Sequence, residues 1–569
     1  MTGAGRVALA LAIAFVVLLC IGPVVDPDLG FHLATGRAIL AAGAIPATNV
    51  LSFAAPNAIA VNQQWLPAVL LELAFTHGGP AAVVAIRVFV VALTFIVIAA
   101  TARALGARPV DVLVAIVLGA SAAAFRFLDR PLLFSNLTNA LTVLGLVWAS
   151  SGRRRAGLGL VGVATIAGPQ LHAGAIFGPL AVLAWCGAEA LPAAAFVRLR
   201  LPFAPRATSL RDALAPAVIA VLGLALALAL LWTYHPHPWR VLAVPFQMSG
   251  DRYLHAHLVE YRVPWQQPLA LLAPYWLFLA ALSALLLIAL APAAPAAPEA
   301  PDRATAASDA PAPPLGMLAV AALGIAASLA YARFVDLAVL FATPLVALLL
   351  SRLPGRTLIR RLVIGLGALA FVVRLAVVPP SAPILSPLTW PLALDGFLRR
   401  EHLVGPAFVQ DGWAGPFLAL HYPVERVFFH PAFDAYPPTF YRDVYQRTRD
   451  GEPGWDRTLE HYGVQLVLMK FTSPHERERQ HDRPNLRQHL AASPSWALVA
   501  FDDFGLLAVR RDGTNATAAR ALAIDGVDPD GLAFGAPLVD VRAALDAFAR
   551  RGLPSARLSY LRRLEGGGT

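Results

Sequence analysis

Long apolar runs separated by short polar connections dominate the first two thirds of the chain. They fall near residues 7–25, 80–102, 110–128, 131–150, 156–172, 173–196, 213–233, 268–291, 315–331, 334–351 and 362–378. Each predicts a helix, because about 20 apolar residues rising about 1.5 Å apiece cross a hydrocarbon core about 30 Å thick. The first run follows Arg6 and shows no convincing small-x-small cleavage site before Asp26, so it is expected to be a retained helix rather than a leader. After about residue 385 the pattern changes to short mixed segments, Arg426–Phe429, Gln465–Met469 and Trp496–Phe501, separated by Pro, Gly and Asp. These predict strands, and helical stretches near 391–402 and 484–492 alternate with them. The tail after Asp512 is polar, with one amphipathic helix expected near 537–551.

The basic residues orient this pattern. With Arg6 inside, the inner connections carry Arg103 and Arg108, then Arg153–Arg155, then Arg198, Arg200, Arg206 and Arg211, then Arg352, Arg356, Arg360 and Arg361. Every strong cluster therefore lands on the cytoplasmic side, as the positive-inside rule requires. The long polar segments 26–79, 234–267 and everything after about 379 share the other face. The expected fold is an α-helical polytopic membrane protein with about eleven transmembrane helices over 1–378. That domain includes a first external loop at 26–79 and a cytoplasmic Pro/Ala linker at 292–314. An extracytoplasmic α/β domain over 379–511 and a polar tail over 512–569 complete it.

Composition agrees: 58% hydrophobic and 14% charged residues do not describe a soluble globule. The net charge of +10 lies in clusters between apolar runs rather than along one polar face, which argues against nucleic acid as a partner. Cys20 and Cys186 sit inside apolar runs at opposite membrane faces, so no disulfide between them is expected. The chain carries no phosphate loop, dinucleotide fingerprint, Cys-x-x-Cys pair or helical His-Glu-x-x-His. Nucleotide sugars are disfavoured as well, because the polar loops face away from the cytoplasm.

Candidate chemistry concentrates where the first helix ends, in Asp26-Pro-Asp28-Leu-Gly-Phe-His32. Two carboxylates two residues apart can hold a divalent cation, or one can act as general base; they can equally cap and solubilise a helix end. Trp65 suits an interfacial position beside an amphipathic stretch ending at Phe75, either as surface packing or as a lid over a lipid. Arg130, Arg240, Arg262 and Arg333 lie near the outer face, where they could neutralise a phosphate. Arg87 lies inside a run, so a polar cavity or a carboxylate such as Glu72 is expected to face it. His172 stands at an outer helix end beside Gly174. His235, His237, His255 and His257 form two His-x-His pairs that superficially suggest a metal site, a reading set aside here, with His235 and His237 expected as turn residues.

The run Asp-x-Asp-x-x-Phe-His-Leu-Ala-x-Gly, followed by Ile45-Pro46, Ser52-Phe53 and Trp65-Leu66, resembles bacterial members of the GT-C superfamily of membrane glycosyltransferases. It is similar in particular to the protein O-mannosyltransferase and aminoarabinose transferase group. Arg130-Pro131, Leu171-His172-Ala-Gly174, Trp239-Arg240, Glu260-Tyr-Arg-Val-Pro264, Arg333, Trp413-Ala-Gly415, Tyr422-Pro423 and Arg426–Phe429 continue the likeness in order, over about residues 1–511. The resemblance implies inverting transfer of a sugar from a polyprenyl-phosphate donor to an acceptor at the extracytoplasmic face of a bacterial inner membrane. It implies Asp28 or Asp26 as base, or both as ligands of a Mg or Mn ion. His32, Trp65, Arg130, His172, Arg240, Glu260 and Arg333 would then bind substrate. Two departures stand out: Gln63-Gln64 where similar proteins show His-Glu, and Phe428-Phe-His430 where they show a Phe-Ile-Asp-Gly-Arg-like run. The competing class is a non-catalytic lipid-linked saccharide transporter or scaffold, for which no clear internal repeat is visible. Cysteine-accessibility labelling tests the topology: positions Gly36 and Gln480 should react from outside and Arg154 and Ala306 from the cytoplasm. Cytoplasmic labelling at Gln480 would rule the topology out.

Overall fold

In the computed structural model the described residues are 3–291 and 312–532, with interruptions within 194–202, 354–383, 474–482 and 525–528. The expected run at 362–378 lies almost wholly outside them, as do most of the Pro/Ala stretch and the expected helix at 537–551. The other ten apolar runs are helical. In chain order the helices are α1 (Gly3–Cys20), α2 (Leu29–Ala42), α3 (Trp65–Ala104), α4 (Pro109–Ala123), α5 (Leu132–Ser150) and α6 (Arg154–Leu171). They continue with α7 (Phe177–Glu189), α8 (Leu210–Tyr234), α9 (Pro238–Gly250), α10 (Leu269–Leu290), α11 (Leu315–Ala330) and α12 (Val335–Arg352). The C-terminal part contributes α13 (Leu392–Arg400), β1 (Ala407–Val409), α14 (Asp411–His421), α15 (Trp455–His461), β2 (Leu466–Lys470), α16 (Leu486–Ala492), β3 (Trp496–Phe501) and β4 (Gly505–Arg510).

Seven helices among the described residues are long and apolar enough to cross a membrane: α1, α3, α4 with its extension to Arg126, α5, α8, α10, and α12 from Ala332. The about eleven spans expected from hydropathy become fewer by this measure. α11 and the Ala173–Glu189 segment are apolar but shorter, and α6, which opens on Arg154 and Arg155 and carries Gln170, is not among the seven.

The chain divides into two compact units. A helical unit takes Met1–Pro23, Gln63–Pro67 and His77–Ala382, and a mixed unit takes Val24–Asn62, Ala68–Thr76 and Pro383–Thr569. The division near residue 382 lies close to the expected boundary at 378, but most of the first loop belongs with the C-terminal part rather than with the helices that precede it in sequence. α3 marks the change of partner, being broken at Gly79, whose φ of 62° and ψ of −161° are not helical, with Pro80 behind it.

In the helical unit α12 is apolar on every side and buried along nearly its whole length, as an all-round apolar helix must be when it packs at a centre. Close approach depends on small residues: a Cβ on Gly157 of α6 would lie 2.4 Å from the carbonyl oxygen of Gly145 on α5. α1, α8 and α10 present Val7, Leu11, Val221, Leu222, Leu277 and Leu287 outward, an apolar surface whose natural solvent is lipid.

The mixed unit is built on a four-stranded sheet in the order β1-β2-β4-β3, parallel between β1 and β2 and antiparallel elsewhere. Its strands are almost continuously buried, which explains why apolar runs rather than alternation marked them in the sequence. α16 starts at a capping box between Asn485 and Gln488. The expected strand at Arg426–Phe429 is instead a pair of isolated bridges, Val427 to Ala407 and Val427 to Ser52, so a residue of the first loop extends the sheet beyond β1. Val427 N–H donates to the Leu51 carbonyl at 3.1 Å, and Phe53 N–H donates to that of Val427 at 3.2 Å.

α2 seats on α14 through facing glycines. A Cβ on Gly30 would come within 2.0 Å of the Gly415 oxygen, and one on Gly415 within 2.1 Å of the Pro27 oxygen. Arg37 of α2 secures the same joint, donating to the Glu72 carboxylate at 2.7 Å and to the carbonyls of Ala419 and Tyr422. Overpacking of such a contact costs typically about 1–3 kcal/mol. Gly30→Ala and Gly415→Ala should therefore each lower the melting temperature in detergent, whereas Gly159→Ala, with nothing within 4 Å of its Cβ, should leave it unchanged or raise it.

Candidate functional site

In the helical unit, three turns at helix ends bring guanidinium groups to one carboxylate. Arg126 closes the single 3-10 turn that ends α4, Arg130 precedes α5, Arg333 sits in the Ala332–Phe334 turn before α12, and Glu260 lies in the Val259–Tyr261 turn. Arg130 and Arg333 stand 3.5 Å from Glu260, and Arg126 stands 3.9 Å from it. Burial opposes the charge on Glu260, but Arg333, Arg130 and Arg126 overcome that and hold its carboxyl down to about 2, so it is ionised at any working pH. Arg333 also lies over the Tyr261 ring, 4.5 Å from its centroid.

Asp336 acts electrostatically on Arg126 beside Glu260. Asp336 is held by Asn136 at 2.8 Å and by the Leu337 amide at 3.0 Å. Both Asn136 and Asp336 line a largely apolar cavity walled by Val91, Phe95, Ile98, Phe127, Leu133 and Leu340. Arg126 is only 7% exposed, and its Nε has no hydrogen-bond partner among the described residues.

His172 borders this region as an acceptor: its Nδ1 takes the Gly174 N–H at 3.0 Å and contacts Ser135 Oγ at 2.8 Å. Gln63, the first departure from the resembled pattern, accepts the Ala173 amide at 2.7 Å, a bond that needs no charge.

The structure thus brings Arg130, Glu260 and Arg333 together. Arg240 does not appear among the cluster's contacts; its guanidinium lies 5.2 Å from the ring of neighbouring Trp239. Trp65 packs edge-on against Tyr234 at 5.3 Å. Arg126 was not singled out from sequence, and the available clue was an arginine between Phe125 and Phe127 at the end of an apolar run. Arg87 pairs with Asp129 at 2.7 Å and with the Gly22 carbonyl, not with Glu72, which is taken by Arg37. His235 accepts the His237 amide, and His255 stacks on Tyr261 at 4.7 Å, so both histidine pairs serve turns and packing.

In the mixed unit the two first-loop carboxylates differ. Asp26 is 1% exposed and its Oδ1 accepts the Asp28 amide at 3.0 Å. Asp28 is the N-cap of α2, is half-buried, and makes no side-chain capping bond to that helix. Among the described residues no group of three or more His, Cys, Asp or Glu converges as a metal cage would, and with one Asp26 oxygen engaged by an amide this pair alone does not supply a cation's oxygen shell.

His32 is buried against Phe31, whose ring lies 5.6 Å from that of His430. His430, the second departure, is 2% exposed; its Nε2–H donates to Asn49 Oδ1 at 3.0 Å, and Asn49 Nδ2 donates to the Ala435 carbonyl. These contacts tie the 430–436 segment to the first loop.

No protein-family model and no curated protein matches the chain. Solved structures do match it. Over 82% of this chain and 69% of the other, it superposes on the oligosaccharyltransferase of Archaeoglobus fulgidus tethered to an acceptor peptide containing the NVT sequon, with a TM-score of 0.51 at 12% identity. The fold is GT-C-like. The apo form of the same archaeal protein gives 0.49 at 12% identity over the same shares. A mycobacterial arabinofuranosyltransferase, AftD, gives 0.49 at 16% identity, over 89% of this chain and 41% of that one.

Burial lowers His430 to about 3, below the ordinary value of about 6.5 that it regains on unfolding. Its contribution to stability is complete above pH 6.5 and is lost as pH falls from there toward 3, by up to about 1.4 kcal/mol per pH unit. Melting curves in detergent should show a fall in stability over that window, and His430→Gln should make it shallower.

Proposed function

We propose that the protein is a membrane glycosyltransferase that takes a sugar from a polyprenyl-phosphate donor and passes it, with inversion, to an acceptor hydroxyl at the extracytoplasmic face of a bacterial inner membrane. The observation that carries this reading is the gathering of the guanidinium groups of Arg126, Arg130 and Arg333 around Glu260 in the helical unit, a cationic setting of the kind that a lipid-linked phosphate needs. Support also comes from the GT-C-like fold and from the sequence likeness to the protein O-mannosyltransferase and aminoarabinose transferase group.

In the proposed reaction the acceptor oxygen bonds to the anomeric carbon as the bond from that carbon to the phosphate oxygen breaks. The electron pair leaves with the polyprenyl phosphate, whose charge grows by one as the diester becomes a monoester. Arginines fixed in advance stabilise that growth more than they stabilise the ground state, the condition for catalysis rather than mere binding. The acceptor proton goes to a carboxylate. Asp28 is our candidate, because the aromatic-His segment Phe31-His32 starts soon after it, as in the acidic first-loop motif that the sequence resembles, and Asp26 would orient it through the Asp28 amide.

Purified protein incubated with short-chain polyprenyl-phosphate sugars should release polyprenyl phosphate. Asp28→Asn should lose about a hundredfold to ten-thousandfold in turnover while keeping donor binding, and Arg130→Ala with Arg333→Ala should weaken binding of a donor analogue. Full activity in the Asp26→Asn/Asp28→Asn double variant would remove the first loop from the chemistry. Saccharide-lipid binding without turnover for any donor and acceptor pair would favour transport or scaffolding instead.

A further inference from the structure

A polar cavity lies at the end of the helical unit remote from Glu260. α5 runs from the Arg130 turn to Ser150, and α6 runs from Arg154 back to the His172 turn, so roughly 28 Å of helix separates the two ends. The cavity holds about 180 Å³, against about 20 Å³ for the apolar cavity beside Asp336, and one water needs only about 10–15 Å³. Arg154, Trp185, Glu189, Arg206, Thr208 and Asp212 are among its walls. Both carboxylates are already spent. Glu189 accepts the backbone amides of Arg206, Ala207 and Gly316, the last two at 3.2 and 2.9 Å. Asp212 accepts Arg154 and, at 2.8 Å each, the hydroxyls of Thr208 and Ser209. Arg206 is not spent in this way. Its Nε and Nη2 both donate to the single Ala312 carbonyl, at 3.2 and 3.0 Å, and among the described residues its guanidinium closes on no carboxylate. Burial lowers it from its ordinary value, and the charge of Glu189 offsets that only in part. A half-buried cation resting on a carbonyl calls for an anion, and the cavity gives one room.

We infer that this cavity binds the phosphate headgroup of an anionic glycerophospholipid, with Arg206 as its principal ligand and Arg154 and Thr208 beside it. Charge favours such a ligand. Segments 150–156 and 203–216 carry five arginines, and Asp212 and Glu189 reduce their sum only to +3. The positive-inside rule assigns this end of the bundle to the cytoplasmic leaflet, and basic pockets between helices on that side suit lipid phosphates. Acyl chains distinguish a lipid from free phosphate, and α8 supplies a surface for them. From the turn that borders the cavity it presents Leu210, Leu214, Val218 and Val221 outward, 64, 42, 56 and 63% exposed, spaced along a single stripe. The backbone that holds Arg206 is set beforehand, by the Glu189 bonds and by a bridge between Ala204 and Pro314. Little ordering is therefore left to be done when the headgroup arrives.

The test is equilibrium binding of a fluorescent phosphatidylglycerol to the full-length protein in an uncharged detergent, with phosphatidylcholine and inorganic phosphate as competitors. Unlabelled phosphatidylglycerol should displace the probe roughly tenfold more effectively than phosphatidylcholine. Arg206→Ala should weaken binding about tenfold and Arg206→Lys less, because lysine keeps the charge and loses the planar fork. Arg211→Ala, at an exposed arginine that is not among the cavity's walls, should leave binding unchanged. Ala215 lines the cavity, so Ala215→Trp should expel the headgroup with every charge kept, and it decides the matter if Arg206→Ala does not fold. Equal losses at Arg206→Ala and Arg211→Ala would mean adsorption to a basic surface and overturn the site. Unchanged binding in folded Arg206→Ala or Ala215→Trp would overturn it as well. If inorganic phosphate displaces the probe as effectively as phosphatidylglycerol does, the ligand is free phosphate and the lipid part is wrong.

Discussion

A guanidinium carried into a membrane-spanning unit has to be met by a carboxylate or by carbonyl oxygens, because hydrocarbon offers it nothing else. The described helical unit meets this demand in two ways. Arg87 with Asp129 is a tight, nearly water-free pair, and Arg360 closes as tightly on the fully buried Asp111; each joins one helix to another segment. Breaking such a pair by removing one partner leaves an uncompensated buried charge, commonly a loss of about 3–5 kcal/mol. The cluster around Glu260 differs in geometry: three guanidinium groups stand 3.5–3.9 Å from one carboxylate that is 33% exposed.

The helices were legible because lipid as solvent imposes length and apolarity on each segment, and ten expected runs are helices. Arg130 and Arg333 stand out in the sequence as charges near the outer helix ends, and Glu260 only through the family resemblance; the structure brings the three together. Partnerships were not legible. Glu72 and Asp129 were equally available to Arg87 in the sequence, and only the break at Gly79 and Pro80 shows why Glu72 pairs with Arg37 instead. Arg126 was hidden because a charge at the end of an apolar run looks like a topology marker until the turn that follows α4 is seen. Val427 had the β-branched, apolar look of a strand residue, yet bridges are decided by what lies alongside, here Ser52 and Ala407.

The motif residues take on a different meaning in the mixed unit. Gly30, Gly36, Ser52, Trp413, Gly415 and Phe428 are contact points at which α2, the first loop, α14 and the sheet meet. Gly36 lets the Ala68 carbonyl approach, and Gly505 leaves room for the Trp413 ring. At these positions residue size is set by how the first loop packs onto the C-terminal elements. A likeness at such positions transfers fold readily and chemistry hardly at all, since a glycine required by a neighbouring carbonyl says nothing about a substrate.

The bridge from Ser52 to Val427, with the Ser52 hydroxyl bonded to the Phe428 carbonyl across 376 positions of sequence, also fixes an order of events during biosynthesis. At about 5–20 residues per second, a ribosome needs on the order of 20–75 s to pass from one partner to the other. Throughout that interval Ser52 lacks its partners at Val427 and Phe428. The mixed unit is therefore completed only after its C-terminal strands have been made. Until then the nascent chain carries an unsealed sheet edge and an uncovered glycine-lined face on α2, the surfaces that a chaperone would have to shield.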